Sequence, residues 1–144
     1  MPRVIAVLAI GGMLLLPFAC SDPAPAEPPV VCVDAGVDPA CTPAYEPTSY
    51  GVLYANTLKP TCAKEGISCH SSFGKQAGLN FEDEAESYAG LMVKWKVKVG
   101  QPECSTLVHR VIATDGKVRM PPGRSIPVGE QCAIIRWIAD GAPR

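Results

Sequence analysis

Seven cysteines in 144 residues, at positions 20, 32, 41, 62, 69, 104 and 132, constrain this chain more than any other feature. A short chain so rich in thiols either cross-links itself in an oxidising compartment or uses them to hold a cofactor or metal. The choice turns first on whether the chain is exported. Arg3 supplies a positive start, and residues 4–16 form an uninterrupted apolar run without a charge. Its 13 residues suit a signal-peptide core and fall short of the roughly 17–25 that a spanning helix needs. Leu16-Pro17-Phe18-Ala19-Cys20 resembles a bacterial lipobox, in which a small residue precedes the cysteine that becomes acylated. Residues 1–19 are therefore expected to be a signal peptide and Cys20 a lipidation site; the alternative is ordinary cleavage beside an unmodified cysteine. The mature chain is expected in the periplasm or at the cell surface, with the membrane as one partner through its anchor.

Removing the leader changes the balance. The 47% apolar content is inflated by it, and loss of Arg3 leaves 12 basic against 14 acidic residues, a net charge near −2. That balance excludes nucleic acid as an expected partner. The charges are unevenly placed: residues 21–93 hold 3 basic and 10 acidic groups, residues 94–144 hold 9 and 4. Such asymmetry can steer an acidic partner towards the C-terminal half, or simply be solvated charge.

With Cys20 acylated, six cysteines remain, which allows fifteen pairings. Residues 20–48 hold seven prolines and no helical or strand period, so they read as a stiff lipid-anchored tether. Cys32 and Cys41 lie inside it, flanking a stretch of turn composition, and are expected to pair locally. The compact part is expected over residues 49–144, enough for one modest core. A short helix is expected over 50–58, stopped by Pro60. A second follows Asn80, which is placed to cap an acidic first turn, Glu82-Asp83-Glu84. Residues 94–99 alternate Trp95, Val97 and Val99 against three lysines, which predicts a short strand with the lysines solvated. Residues 104–113 read as another helix. The last helix begins near Pro127, carries Ile134, Ile135, Trp137 and Ile138, and stops at Gly141.

The informative segment is Cys62-Ala-Lys-Glu-Gly-Ile-Ser-Cys69-His70. Thiols beside a histidine are what covalent haem attachment requires: the sulfurs bond the vinyl groups and the imidazole reaches the iron. The usual spacing is Cys-x-x-Cys-His, whereas six residues separate the cysteines here. Around this segment stand Gly78-Leu79-Asn80-Phe81, then Gly100-Gln101-Pro102-Glu103-Cys104-Ser105-Thr106-Leu107, Arg119-Met120-Pro121-Pro122-Gly123, and Trp137-Ile138-Ala139-Asp140-Gly141-Ala142-Pro143. In order and spacing, residues 50–144 resemble the planctomycete-type cytochrome c domain found in exported bacterial lipoproteins. The resemblance implies a mostly α, small helical domain with long loops, stapled by disulfides. It implies haem c as cofactor, bonded through Cys62 and Cys69, with His70 and Met120 as axial ligands to the iron. A thioether and an imidazole make a soft site with a raised potential, suited to electron transfer. The remaining cysteines, Cys104 and Cys132, are expected to pair and pin the last helix. His109, at helical spacing with Val108 and Ile112, is read as a half-buried helix residue rather than a ligand.

No nucleophile with a placed base, phosphate loop or carboxylate cluster argues for an enzyme. Two readings stay open. One is a monomeric monohaem electron carrier that meets a redox partner protein in the cell envelope. The other is a haem-free scaffold, a binding or structural lipoprotein in which Cys62 and Cys69 form a disulfide and the cleft is filled by Trp95 or Trp137.

Overall fold

A computed structural model describes residues 32, 36–47, 49–63, 69–93 and 96–144 of the chain. Cys20, the stretch expected to be a signal peptide, Lys94 and Trp95 lie outside the described residues. The architecture is helical, and no strand occurs among the described residues. None of the described helices is long and apolar enough to cross a membrane.

The last helix carries the core. It is α5 (Val128–Ala139), and it buries Cys132, Ala133, Ile134, Ile135, Trp137 and Ile138. The Pro127 carbonyl accepts from the backbone N–H groups of Glu130 and Gln131 and so begins the first turn. At the other end Gly141 takes φ +98°, a conformation that costs glycine little, and the Ala142 N–H closes back on the Trp137 carbonyl. The tail then turns inward. The Pro143 carbonyl accepts from the Trp137 indole and from the backbone N–H of Tyr50, each at 2.8 Å. This joins α5 to α1 (Tyr50–Leu53), which Ser49 caps through the Val52 N–H. The Tyr50 ring packs 5.5 Å from Trp137 and 5.0 Å from Tyr88, and its hydroxyl bonds the buried Ser87. Leu53, Leu58, Phe81, Leu91, Val108 and Ile126 complete the buried centre.

Pro60 does not end the first helix. The chain continues from α1 through a π segment (Tyr54–Leu58) into α2 (Lys59–Cys62). The Lys59 N–H reaches back five residues to the Tyr54 carbonyl. This widened turn accommodates a proline ring that would otherwise press on the carbonyl four residues before it. The helix therefore reaches Cys62.

α3 (Glu84–Val93) begins later than expected. Asp83, not Asn80, caps it, its carboxylate accepting from the Glu86 N–H at 2.7 Å. Asn80 is buried one turn earlier, accepting from the Glu82 N–H and donating to the Glu86 carboxylate. The strand expected over 94–99 is absent among its described residues because no second strand offers a ladder. The N–H groups of Lys96 and Val97 instead meet the Leu91 carbonyl, and the Lys96 carbonyl takes the Leu107 N–H. The segment thus caps the end of α3 and the start of α4 (Thr106–Ile112). Cys104 does not open α4; it closes a 3-10 turn (Pro102–Cys104) just before it.

The disulfides also differ from expectation. Cys32 pairs with Cys104, and Cys41 with Cys132, so neither the Cys32–Cys41 nor the Cys104–Cys132 pairing is present. The cause is the proline-rich segment, which lies along the domain as a strap. Val37 packs against the core, and the Ala44 N–H bonds the Gly129 carbonyl at 2.8 Å. A Cβ on Gly129 would stand 3.0 Å from Ala44, so a larger residue would press the strap outward here. Tyr45 shares a hydrogen bond with the buried Thr57. Pairing across elements follows because the strap carries Cys32 to the 3-10 turn and Cys41 to α5. Of the segment read as a tether over 20–48, the described residues, Cys32 and 36–47, are thus fastened to the domain.

Candidate functional site

Several parts of the chain enclose a cleft of about 380 Å³, within the range of cofactor pockets. The end of α2 contributes Cys62. The turn after it contributes Cys69, His70 and the segment to Phe81; α4 contributes Leu107, Arg110 and Val111; and the following loop contributes Met120, Pro121 and Pro122. Cys62, Cys69, His70 and Met120, singled out from the sequence, therefore line one cavity although they span nearly sixty positions. The walls between them are mainly apolar, with Leu79, Phe81 and Leu91 at the base.

Each of the four is held differently. His70 is half-buried and its ring stands edge-on to Phe81 at 5.6 Å. Its Nδ1 lies 3.0 Å from the Gln76 carbonyl. A carbonyl only accepts, so Nδ1 carries the proton and Nε2 keeps its lone pair. Burial pushes the His70 pKa below the ordinary imidazole value, against the pull of that hydrogen bond, which favours the neutral ring. The carbonyl is aimed by a contorted turn in which Lys75, Ala77 and Gly78 all take positive φ, at 40°, 53° and 66°. For Lys75 and Ala77 this is a strained region, and the surrounding hydrogen bonds hold it: Gln76 N–H to the Cys69 carbonyl and Phe81 N–H to the His70 carbonyl, both 2.7 Å.

Met120 is half-buried and precedes a cis bond to Pro121. Its N–H donates to the Arg110 carbonyl at 2.8 Å, while the Arg110 guanidinium returns to the Val118 carbonyl. The loop is thereby tied to α4 at two points. Cys62 and Cys69 are both free thiols. The Cys62–Cys69 disulfide of the haem-free reading is therefore not formed, even though the other four described cysteines pair. Burial pushes the Cys62 thiol up to about 12, a rise that the Arg124 charge partly opposes. It stays protonated at neutral pH, unlike a catalytic thiolate. Cys69 is exposed at the mouth.

Among the described residues no three His, Cys, Asp or Glu side chains gather to hold a bare metal ion. The sulfur and imidazole groups are spread round a cavity instead. His109 lies outside the cleft, its Nε2 bonding the Glu103 carbonyl, as expected of a helix residue. Trp137 is in the core rather than the cleft. Sequence reasoning missed the Gln76 carbonyl, which has no side-chain signal, and the cleft positions of Arg110 and Lys96. Lys96 was read as part of a solvated face, yet it is half-buried and lines the cavity.

Residues 67–123 match the family model described as Planctomycete cytochrome C. The matched stretch contains Cys69, His70 and Met120; Cys62 lies just before it. No curated relative and no solved structure gives a significant match to the chain.

Proposed function

Because this chain carries a cytochrome c-like domain, we propose that it is a monohaem electron carrier rather than an enzyme. In this reading Cys62 and Cys69 bond the haem through thioethers, and His70 and Met120 are the axial ligands. One observation carries it: two free thiols, a neutral imidazole and a thioether, drawn from separate elements, line a single apolar cleft. The six-residue spacer is compatible with that arrangement. Cys62 reaches the cleft from the end of α2 and Cys69 from the turn bearing His70, so the sulfurs need not share one helical turn.

The residues fit the group chemically. Haem, when bound, supplies a one-electron iron couple; the protein sets its potential and its access to solvent. His70, with Nδ1 committed to Gln76, offers Nε2 in its neutral form. Such a backbone hydrogen bond fixes ring orientation and raises ligand basicity. The sulfur of Met120 is a soft ligand that favours the reduced metal and raises the potential. Leu79, Phe81, Leu91 and Val111 exclude water and disfavour added charge, which acts in the same direction.

The wider setting belongs to the same proposal. The chain is exported, anchored to a membrane through acylated Cys20, and exchanges electrons with a protein of the cell envelope as a monomer. The test is the absorption spectrum and intact mass of protein exported by a host able to attach haem. A Soret band that survives denaturation, with the mass of one haem added, is expected. Mature protein without that band, and with Cys62 bridged to Cys69, would overturn the reading.

A further inference from the structure

α4 is a wall of the cleft that the core holds lightly. Of its seven residues only Val108 and Val111 are buried, whereas α5 buries six. Its Thr106, Leu107, Arg110 and Val111 line the cavity. The helix also carries Met120. The Arg110 carbonyl accepts the Met120 N–H at 2.8 Å, and the Arg110 guanidinium donates to the Val118 carbonyl at 3.0 Å. The position of α4 therefore fixes the position of the loop that bears the thioether.

The strap braces this helix at both ends. Cys32 is bonded to Cys104, in the 3-10 turn that leads into α4. That turn is joined to the helix, because His109 Nε2 donates to the Glu103 carbonyl at 2.6 Å. The buried Ser105 hydroxyl adds a bond to the Gln101 carbonyl at 3.0 Å. At the far end a Cβ on Gly36 would stand 3.9 Å from the Ile112 Cδ1, so the strap passes beside the last residue of α4. Beyond it Val37 packs against the core, and Cys41 is bonded to Cys132 on α5.

We propose that the strap, through the Cys32–Cys104 bridge, is a positioning element for Met120: it clamps α4, and α4 holds the thioether at the cleft through Arg110. This rests on the electron-carrier reading, in which that thioether is an axial ligand, and adds what keeps it in place. Elements with little buried apolar surface open locally at low free energy. Release of the clamp therefore raises the fraction of molecules in which the Met120 sulfur has left the iron.

The two bridges supply their own control. With the other intact, each closes the same ring of chain. Cys32→Ala with Cys104→Ala and Cys41→Ala with Cys132→Ala thus lose the same loop entropy. Only the first pair frees α4, since α5 stays seated by its own buried face. Each haem-loaded, ferric variant is titrated with imidazole, whose nitrogen takes the place of the Met120 sulfur on the iron. One bond breaks, one forms and no electron moves. The apparent affinity scales with the fraction of molecules whose thioether is off. It rises by roughly tenfold in the Cys32/Cys104 variant and stays within about twofold of wild type in the Cys41/Cys132 variant.

A rise below about threefold in the first variant, or one as large in the second, overturns the inference and leaves the carrier reading standing. Wild type without a Soret band overturns both. If the Cys32/Cys104 variant does not load haem, hydrogen exchange of the Met120 amide is followed in the haem-free proteins. That amide exchanges about tenfold faster in the Cys32/Cys104 variant than in the Cys41/Cys132 variant, and equal rates overturn the inference.

Discussion

Replacing Cys41 and Cys132 together by alanine removes the longer of the two staples, and its effect can be sized from the topology. Taken alone, a bridge between residues 91 apart removes about 4.6 kcal/mol of loop entropy from the unfolded chain. With Cys32–Cys104 intact, the shortest path from Cys41 to Cys132 runs back along the strap, across that bridge and forward to α5. The loop closed is then about 37 residues, worth about 3.8 kcal/mol in the same loop-entropy model. Against a typical total of about 5–15 kcal/mol, this is a large fraction of the stability. With a urea slope near 2 kcal/mol per molar, the unfolding midpoint should fall by about 2 M. The same variant distinguishes the pairings by thiol count. Under the observed connectivity it exposes no new thiol, because Cys32 and Cys104 stay joined. Under the local pairing each bridge loses one partner, and two new thiols react with a thiol reagent in denaturant. A midpoint shift below about 0.5 M, or the appearance of those two thiols, refutes the reasoning.

The other outcomes are simpler to state. Met120→Ala should leave haem covalently bound while lowering its midpoint potential, read by spectroelectrochemistry, since the soft axial ligand is lost. Cys20→Ser should move the protein from the membrane fraction to the soluble one or leave it unprocessed; wild type starting at another residue would end the anchor proposal. Tyr50 supplies the pH test. Burial, only partly offset by the Ser87 hydrogen bond, raises its phenol above the ordinary value of 10.0. Because the folded value is the higher, the contribution is complete below pH 10.0 and is lost as pH rises beyond it towards the folded value. Tyr50→Phe should therefore shift alkaline unfolding to higher pH while costing about 1 kcal/mol at neutrality.

What the sequence could reveal divides along physical lines. α5 was legible because its signals are local: apolar spacing, a proline at its start and Gly141 behind it. The same holds for the Cys-His segment and the Met-Pro loop, whose residues do share a cleft. Lys94 to Val99 misled because alternation records what a strand could do, while a strand also needs a partner that this fold does not supply among the described residues. Pro60 misled because the relief it needs is a change in helical pitch five residues long, with no residue signature. Asn80 and Asp83 are both competent caps, and only the path of the chain after Leu79 decides between them. The disulfides were illegible in principle, since pairing depends on where the strap lies and not on distance along the chain.

One carbonyl has a wider consequence. The Pro143 oxygen receives hydrogen bonds from the first helix and from the tryptophan of the last. It welds the two ends of the described fold into one cooperative unit, the region where backbone amides should exchange most slowly with solvent. Part of the cleft wall stands outside that weld, in the turn around Gln76 and the loop around Pro121, while Leu79, Phe81 and Leu91 belong to the buried centre. Amides of that turn and loop should therefore exchange faster than those of the aromatic centre.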